Sequence, residues 1–145
     1  MTINSRFVTI AYLIPLLLAC QNKSEDCRIA KRGTFYFYPR KTSQQFQIIR
    51  TDSLQTELDL ITGDSSFWNI KWENECTFNL SFVRDTRVMS DKEREFYNSH
   101  VLNCKILAVA PTYYIFKAIA DPGIGFQPVT DTMWLVEKKM ASSGQ

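Results

Sequence analysis

A two-residue alternation of apolar and polar side chains runs through the middle of this chain, the pattern of strands with one buried face and one wet face. Thr34 to Tyr38 is an aromatic-rich run bounded by Gly33 and Pro39, and Phe46 to Arg50 follows it. Leu54, Thr56, Leu58 and Leu60 then alternate with Gln55, Glu57 and Asp59, and Thr62-Gly63-Asp64-Ser65 reads as a turn. Trp68, Ile70 and Trp72 alternate with Asn69, Lys71 and Glu73. A tight turn at Glu73-Asn74-Glu75 leads into Cys76, Phe78, Leu80 and Phe82, set against Thr77, Asn79 and Ser81. Alternation this regular predicts antiparallel neighbours in a meander.

The pattern breaks once. Ser90-Asp91-Lys92-Glu93 matches a capping box, and the residues to about Ser99 suit a short helix anchored by Phe96 and Tyr97. Strand character returns at Leu102, Cys104, Ile106 and Ala108, again from Thr112 to Ile119, and finally from Thr132 to Glu137. Asp121-Pro122-Gly123-Ile124-Gly125 reads as a loop. The expected fold is mainly β: an antiparallel meander of about eight strands with one short helix, curled into a half-barrel or a lipocalin-like barrel. The interior positions expected are Leu58, Leu60, Trp68, Ile70, Trp72, Phe78, Leu80, Phe82, Ile106 and Phe116. Phe35 and Phe37 point opposite to Tyr36 and Tyr38, so one pair faces the core and the other the outside. A barrel of this size is either filled by side chains or holds one small ligand.

The N-terminal segment is of a different kind. Phe7 to Ala19 is predominantly apolar, follows a short polar stretch carrying Arg6, and is too short to span a bilayer as a helix. Its ending, Leu17-Leu18-Ala19-Cys20, resembles the lipobox of bacterial lipoproteins, in which the cysteine becomes the acylated first residue. The organisation expected is a lipoprotein signal peptide over 1–19, a lipidated tether over 20–26, a single β domain over 27–138 and a polar tail over 139–145. Removing the leader takes away Arg6 and no acid, so the formal charge falls from +2 to +1. A nearly neutral chain has no electrostatic footprint for nucleic acid, and attachment to the membrane falls to the N-terminal lipid. Gln21-Asn22-Lys23-Ser24-Glu25-Asp26 reads as a polar spacer, and acidic residues shortly after Cys20 also resemble the tags that direct some Bacteroidota lipoproteins to the outer face of the outer membrane. The location read from this segment is the cell envelope, lipid-anchored at the outer membrane, on its periplasmic or its surface face.

With Cys20 assigned to lipid, Cys27, Cys76 and Cys104 remain, enough for one disulfide in an oxidising compartment. Three pairings are open. Cys27 and Cys76 sit near element ends, which favours that pair, while Cys104 lies within an apolar strand pattern as a small core residue. Cys104 pairing with Cys76 is the alternative.

Few residues suggest chemistry. His100 precedes Cys104 by four, a spacing that suits a helix, whereas this segment reads as a helix end running into a strand. One histidine and one or two free thiols supply too few ligands for a transition metal. Glu57 and Asp59 share one polar strand face, read as solvated rather than as an acid–base pair. Arg84, Asp85 and Arg87 read as a charged loop in solvent. No phosphate loop, nucleophile elbow or cofactor motif occurs.

Cys27 before Gly33-Thr34-Phe35, the run Arg50-Thr51-Asp52-Ser53-Leu54-Gln55, and Ile70-Lys71-Trp72-Glu73-Asn74-Glu75-Cys76-Thr77-Phe78 together resemble a family of small lipoproteins from Flavobacteriia and related Bacteroidota. The similarity covers the first half of the mature chain and continues in the second half as a strand pattern. It implies a disulfide between Cys27 and Cys76. Cys104 and a longer segment between Asp121 and Met133 depart from the family pattern. Such chains are sometimes labelled DNA topoisomerase IV, a label that a short, nearly neutral, lipid-anchored chain does not support. The resemblance supplies no catalytic residue.

The reading that follows is a non-enzymatic envelope lipoprotein without cofactor or metal. It binds a small apolar ligand or an envelope protein, with Trp68, Trp72, Phe78 and Phe82 as the candidate contact residues. A structural or assembly accessory without a pocket is the alternative, and a small enzyme using His100 and Cys104 is the third.

Overall fold

A computed structural model describes residues 27–120 and 127–138. Cys20, the leader and tether, the loop over 121–125 and the tail over 139–145 lie outside the described residues. The chain forms a closed barrel of eight strands in sequence order, every neighbouring pair antiparallel. The strands are β1 (Gly33–Phe37), β2 (Phe46–Arg50), β3 (Leu54–Asp59), β4 (Ser65–Trp72), β5 (Thr77–Asp85), β6 (Val101–Ala110), β7 (Tyr113–Ala120) and β8 (Val129–Trp134). Among the described residues one α-helix, α1 (Asp91–Ser99), links β5 to β6, and a 3₁₀ turn (Cys27–Ala30) precedes β1. The seam that closes the barrel is short: Tyr36 pairs with Trp134 and Phe37 with Met133. Closure removes both free sheet edges, which would otherwise offer unpaired backbone to other chains.

Local chemistry explains the connections. Ser90 caps α1 by accepting from the Glu93 amide, while the Glu93 carboxylate accepts from the Ser90 amide, so the capping box read from the sequence is present. Asn74 Oδ1 accepts from the Cys76 amide at 2.9 Å and tightens the β4–β5 hairpin. Asp59 Oδ1 accepts from the Ile61 amide at 2.8 Å and from that of Thr62, and Gly63 supplies the positive φ of 80° that the β3–β4 turn needs.

The barrel has a closed floor and an open mouth. At the floor, the Cys27–Cys76 disulfide ties the 3₁₀ turn to the β4–β5 hairpin. Cys27 and Ala30 are fully buried there. Lys31 pairs with Glu75 at 3.2 Å and lies over the Trp72 ring. The mouth is ringed by the β3–β4 turn, the segment before β2, the start of β8 and α1. Phe35, Ile48, Ile70, Phe78, Ile106 and Tyr114 form the core near the floor.

Most interior expectations hold: Trp68, Ile70, Phe78, Leu80 and Ile106 are buried, and Trp72, Phe82 and Phe116 pack against them. Phe35 and Phe37 are the inward pair of β1. Leu58 and Leu60 are not interior. Leu60 is 41% exposed, while Gln55 and Asp59 are buried. The polar face of β3 therefore looks inward and its apolar face outward, so Glu57 and Asp59 do not lie on an outer solvated face. Two other departures come from bulges. The β6–β7 register shifts between Ile106 and Ala108, which turns Ala108 outward and Val109 toward the core. The β4–β5 register shifts at Phe67/Trp68, leaving Val83 as the extra residue. Asp85 consequently ends β5 with its side chain buried instead of lying in a solvent loop. The last strand also starts earlier than its apolar run, at Val129, and stops at Trp134.

The disulfide bridges residues 49 apart, a loop for which the chain-entropy model gives about 4 kcal/mol, with measured losses of about 2–4 kcal/mol typical. Replacing both Cys27 and Cys76 with serine is expected to lower unfolding free energy by that amount in urea titrations. An unchanged midpoint would show that the floor is held without the bridge.

Candidate functional site

The inward rows of side chains do not fill the barrel. They enclose a cavity of about 340 Å³. Its wall is mostly apolar, with Phe37, Phe46, Ile48, Phe78, Leu80, Phe116 and Met133 contributed by five different strands. Of the four aromatic residues expected to contact a ligand, Trp68 and Phe78 line this cavity and Phe82 lines its mouth. Trp72 sits below it at the floor, tilted against Phe78 at 4.6 Å, and does not reach the cavity.

A polar relay crosses the apolar wall. Arg50, 3% exposed, donates through Nε and Nη2 to Gln55 Oε1 at 2.9 and 2.6 Å. Its Nη1 donates to the Ala30 carbonyl at 2.6 Å and to the Tyr114 hydroxyl at 3.1 Å. The guanidinium also lies over the rings of Phe35 and Phe78, a cation–π arrangement in a desolvated setting. Gln55 passes the polarity onward by donating through Nε2 to Glu57 Oε1 at 2.7 Å. Glu57 is half-buried and faces the cavity where it meets the mouth. Burial pushes its carboxyl above the usual range, against the pull of the Gln55 hydrogen bond and the Arg50 charge. Trp68, 6% exposed, turns its indole N–H toward the Glu57 carboxyl, which it also helps to hold down, without making a well-formed hydrogen bond.

At the mouth the cavity meets a second hollow of about 310 Å³ whose lining is much more polar. Glu57, Trp68, Phe46, Gln44 and Tyr97 line both spaces, so they adjoin. Asp59, Asp64 and Asp85 face this hollow with Arg87. The β5 bulge aims Asp85 inward, where it accepts from the Ser66 hydroxyl at 2.7 Å and from Arg87. Helix α1 covers one side of the mouth. Tyr97 stacks on Phe82 at 5.3 Å and meets Trp68 edge-on at 5.6 Å, while Phe96 reaches the cavity beside it. Burial raises the Tyr97 hydroxyl above its ordinary value, and nearby Glu57, Glu93 and Asp85 add to that shift.

Cys104 and His100 are not a nucleophile pair. His100 ends α1 in an extended conformation, stacks on Phe96 and places Nδ1 2.6 Å from the Phe96 carbonyl. Four residues of extended chain separate the two by about 13 Å. Cys104 is buried against the cavity, and desolvation pushes its thiol up to about 12, which favours the neutral thiol over the nucleophilic thiolate. Among the described residues, no group of three or more His, Cys, Asp or Glu is placed to hold a metal ion.

The polar half of the site escaped the sequence pattern for one reason. An alternating polar face reads as wet, and inside a hollow barrel a polar face also looks inward. Phe46, Ile48 and Arg50 share one parity on β2, and that was the available signal for Arg50.

The raised Glu57 carboxyl makes the fold pH-dependent with a definite sign. As pH climbs from the ordinary glutamate range, the unfolded chain loses this proton first while the folded chain retains it. Stability therefore declines until Glu57 itself ionises. Urea midpoints across that range are expected to fall with pH in the wild type and to fall less in Glu57→Gln. Parallel curves for the two proteins would remove Glu57 as the cause.

Comparison with protein-family models, curated proteins and solved structures gives no match.

Proposed function

We propose that this protein is a lipid-anchored envelope lipoprotein acting as a non-enzymatic binding module, which takes a small, mainly apolar ligand into the interior of its barrel. The observation that carries the reading is the cavity itself. At about 340 Å³ it falls within the range of about 300–1,000 Å³ typical of small-molecule sites. It has an apolar wall and a few convergent polar groups, the composition that lets hydrophobic burial supply affinity while Glu57, Gln55 and Trp68 select orientation. The protonated Cys104 thiol and the engaged His100 ring favour binding over nucleophilic chemistry. Anchoring through Cys20 would attach the barrel by its floor end, where the 3₁₀ turn begins, and keep it within a short tether of a membrane, where apolar ligands are concentrated.

Titration of the full chain with the fluorescent probe N-phenyl-1-naphthylamine is expected to show saturable one-to-one binding with a blue-shifted emission. Ala118 lines the cavity wall, and Ala118→Trp fills the space. Its affinity is expected to drop on the order of tenfold or more, about 1.4 kcal/mol, with the circular dichroism of the barrel retained. Linear, non-saturating uptake by the wild type would count against an interior site.

The anchor is tested separately. In the producing cell, Cys20→Ser is expected to move the protein from the membrane to the soluble fraction and to abolish incorporation of labelled fatty acid. Retention at the membrane without label would remove the lipid from the proposal.

A further inference from the structure

Resting on the ligand-binding reading above, we infer that the ligand is a cation-headed amphiphile, with its apolar chain in the barrel and its ammonium group in the mouth. The two hollows differ in chemistry in the way such a molecule does. The inner one is walled by Phe37, Phe46, Ile48, Leu80 and Phe116, and accepts a chain. The outer one holds Asp59, Asp64 and Asp85 with Glu57 at the boundary, against the single cation Arg87. Arg87 is held by Asp85 and by Glu93 of α1, both at 3.2 Å, so it offsets Asp85 and leaves Asp59, Asp64 and Glu57 in excess. A cleft lined by one sign of charge between low-dielectric walls attracts the opposite sign.

Two independent features give this mouth the character of a receptor rather than a wet rim. Trp68, Phe82 and Tyr97 form a three-ring cluster with centroids 5.3 to 5.6 Å apart, directly beside Glu57 and Asp85. Aromatic faces and carboxylates together favour a weakly hydrated ammonium. The second feature is the Trp68 indole N–H, buried at the junction of the two hollows, which is turned toward the Glu57 carboxyl but makes no well-formed hydrogen bond. It calls for an acceptor oxygen between chain and head, such as an ester or hydroxyl. An anionic head finds no comparable seat. Arg50 is the cation of the inner cavity, and its guanidinium is committed to Gln55, Ala30 and Tyr114 between two phenyl rings.

The test is competition for a bound naphthylamine probe by three molecules sharing one chain: octanoylcholine, methyl octanoate and octanoate. Octanoylcholine is expected to bind at least about tenfold more tightly than either of the others. Glu57→Gln combined with Asp85→Asn is expected to shrink that preference to about threefold or less, with methyl octanoate affinity little changed. Equal binding of octanoylcholine and methyl octanoate overturns the cationic head while leaving an apolar ligand in place. Preference for octanoate also overturns it and transfers the head to Arg50. Saturable binding of the probe and of none of the three overturns the amphiphile while keeping the cavity as a site. No saturable binding of anything, probe included, overturns the binding reading itself. Circular dichroism of the double variant separates lost recognition from lost fold, and a folded variant that keeps the full preference counts against the acidic mouth.

Discussion

Closure of the sheet is the constraint on which everything else depends. Eight strands paired edge to edge leave no open ladder, so each strand has one face turned to a shared interior and one to the outside. A closed interior has a fixed circumference, and here its large side chains crowd the floor end. Phe35, Phe78, Ile106 and Tyr114 pack there with the 3₁₀ turn and the disulfide beneath them. Toward the mouth the inward residues leave space, and the cavity is the result.

A cavity that opens at one end tolerates polar groups that a solid core does not. Arg50 is the clearest case. A buried guanidinium is costly unless its donors are satisfied, and the floor satisfies them with a side-chain amide, a backbone carbonyl and a tyrosine hydroxyl. In return the cation ties β2, β3 and β7 and the 3₁₀ turn together at one point. Gln55 extends the polarity to Glu57, so the group that stabilises the floor also orients the carboxyl facing the ligand space. Structure and candidate recognition thus share one hydrogen-bonded chain of residues.

The bulge near Trp68 has a comparable double effect. One extra residue at Val83 breaks the alternation of β5, so Phe82 and Asp85 both face inward although their spacing is odd. That places an aromatic ring and a carboxylate side by side in the mouth, with Tyr97 of α1 laid over them. The helix interrupts the meander at the rim, where its aromatic residues can reach inward without disturbing a strand pairing.

Much of this architecture was legible in the sequence because it depends on local chemistry. Alternation marked the strands from Phe46 to Phe82, Ser90 and Glu93 marked the start of the helix, and cysteine positions near element ends favoured the Cys27–Cys76 bridge that the structure contains. Alternation defines two faces of a strand but does not say which is inside. For β4 the contrast between tryptophan and lysine settled it, and for β3 the same rule chose Leu58 and Leu60 where the barrel uses Gln55, Glu57 and Asp59. The inward face of β3 was decided by its pairing register with β2 and β4 and by the satisfaction that Arg50 offers Gln55. The cavity, the inward turn of Asp85 and the meeting of Trp68 with Tyr97 were likewise decided only by tertiary structure. Each depends on contacts between residues far apart in the chain, and the inward turn of Asp85 also on a bulge that the adjacent apolar pair Phe82-Val83 does not by itself locate.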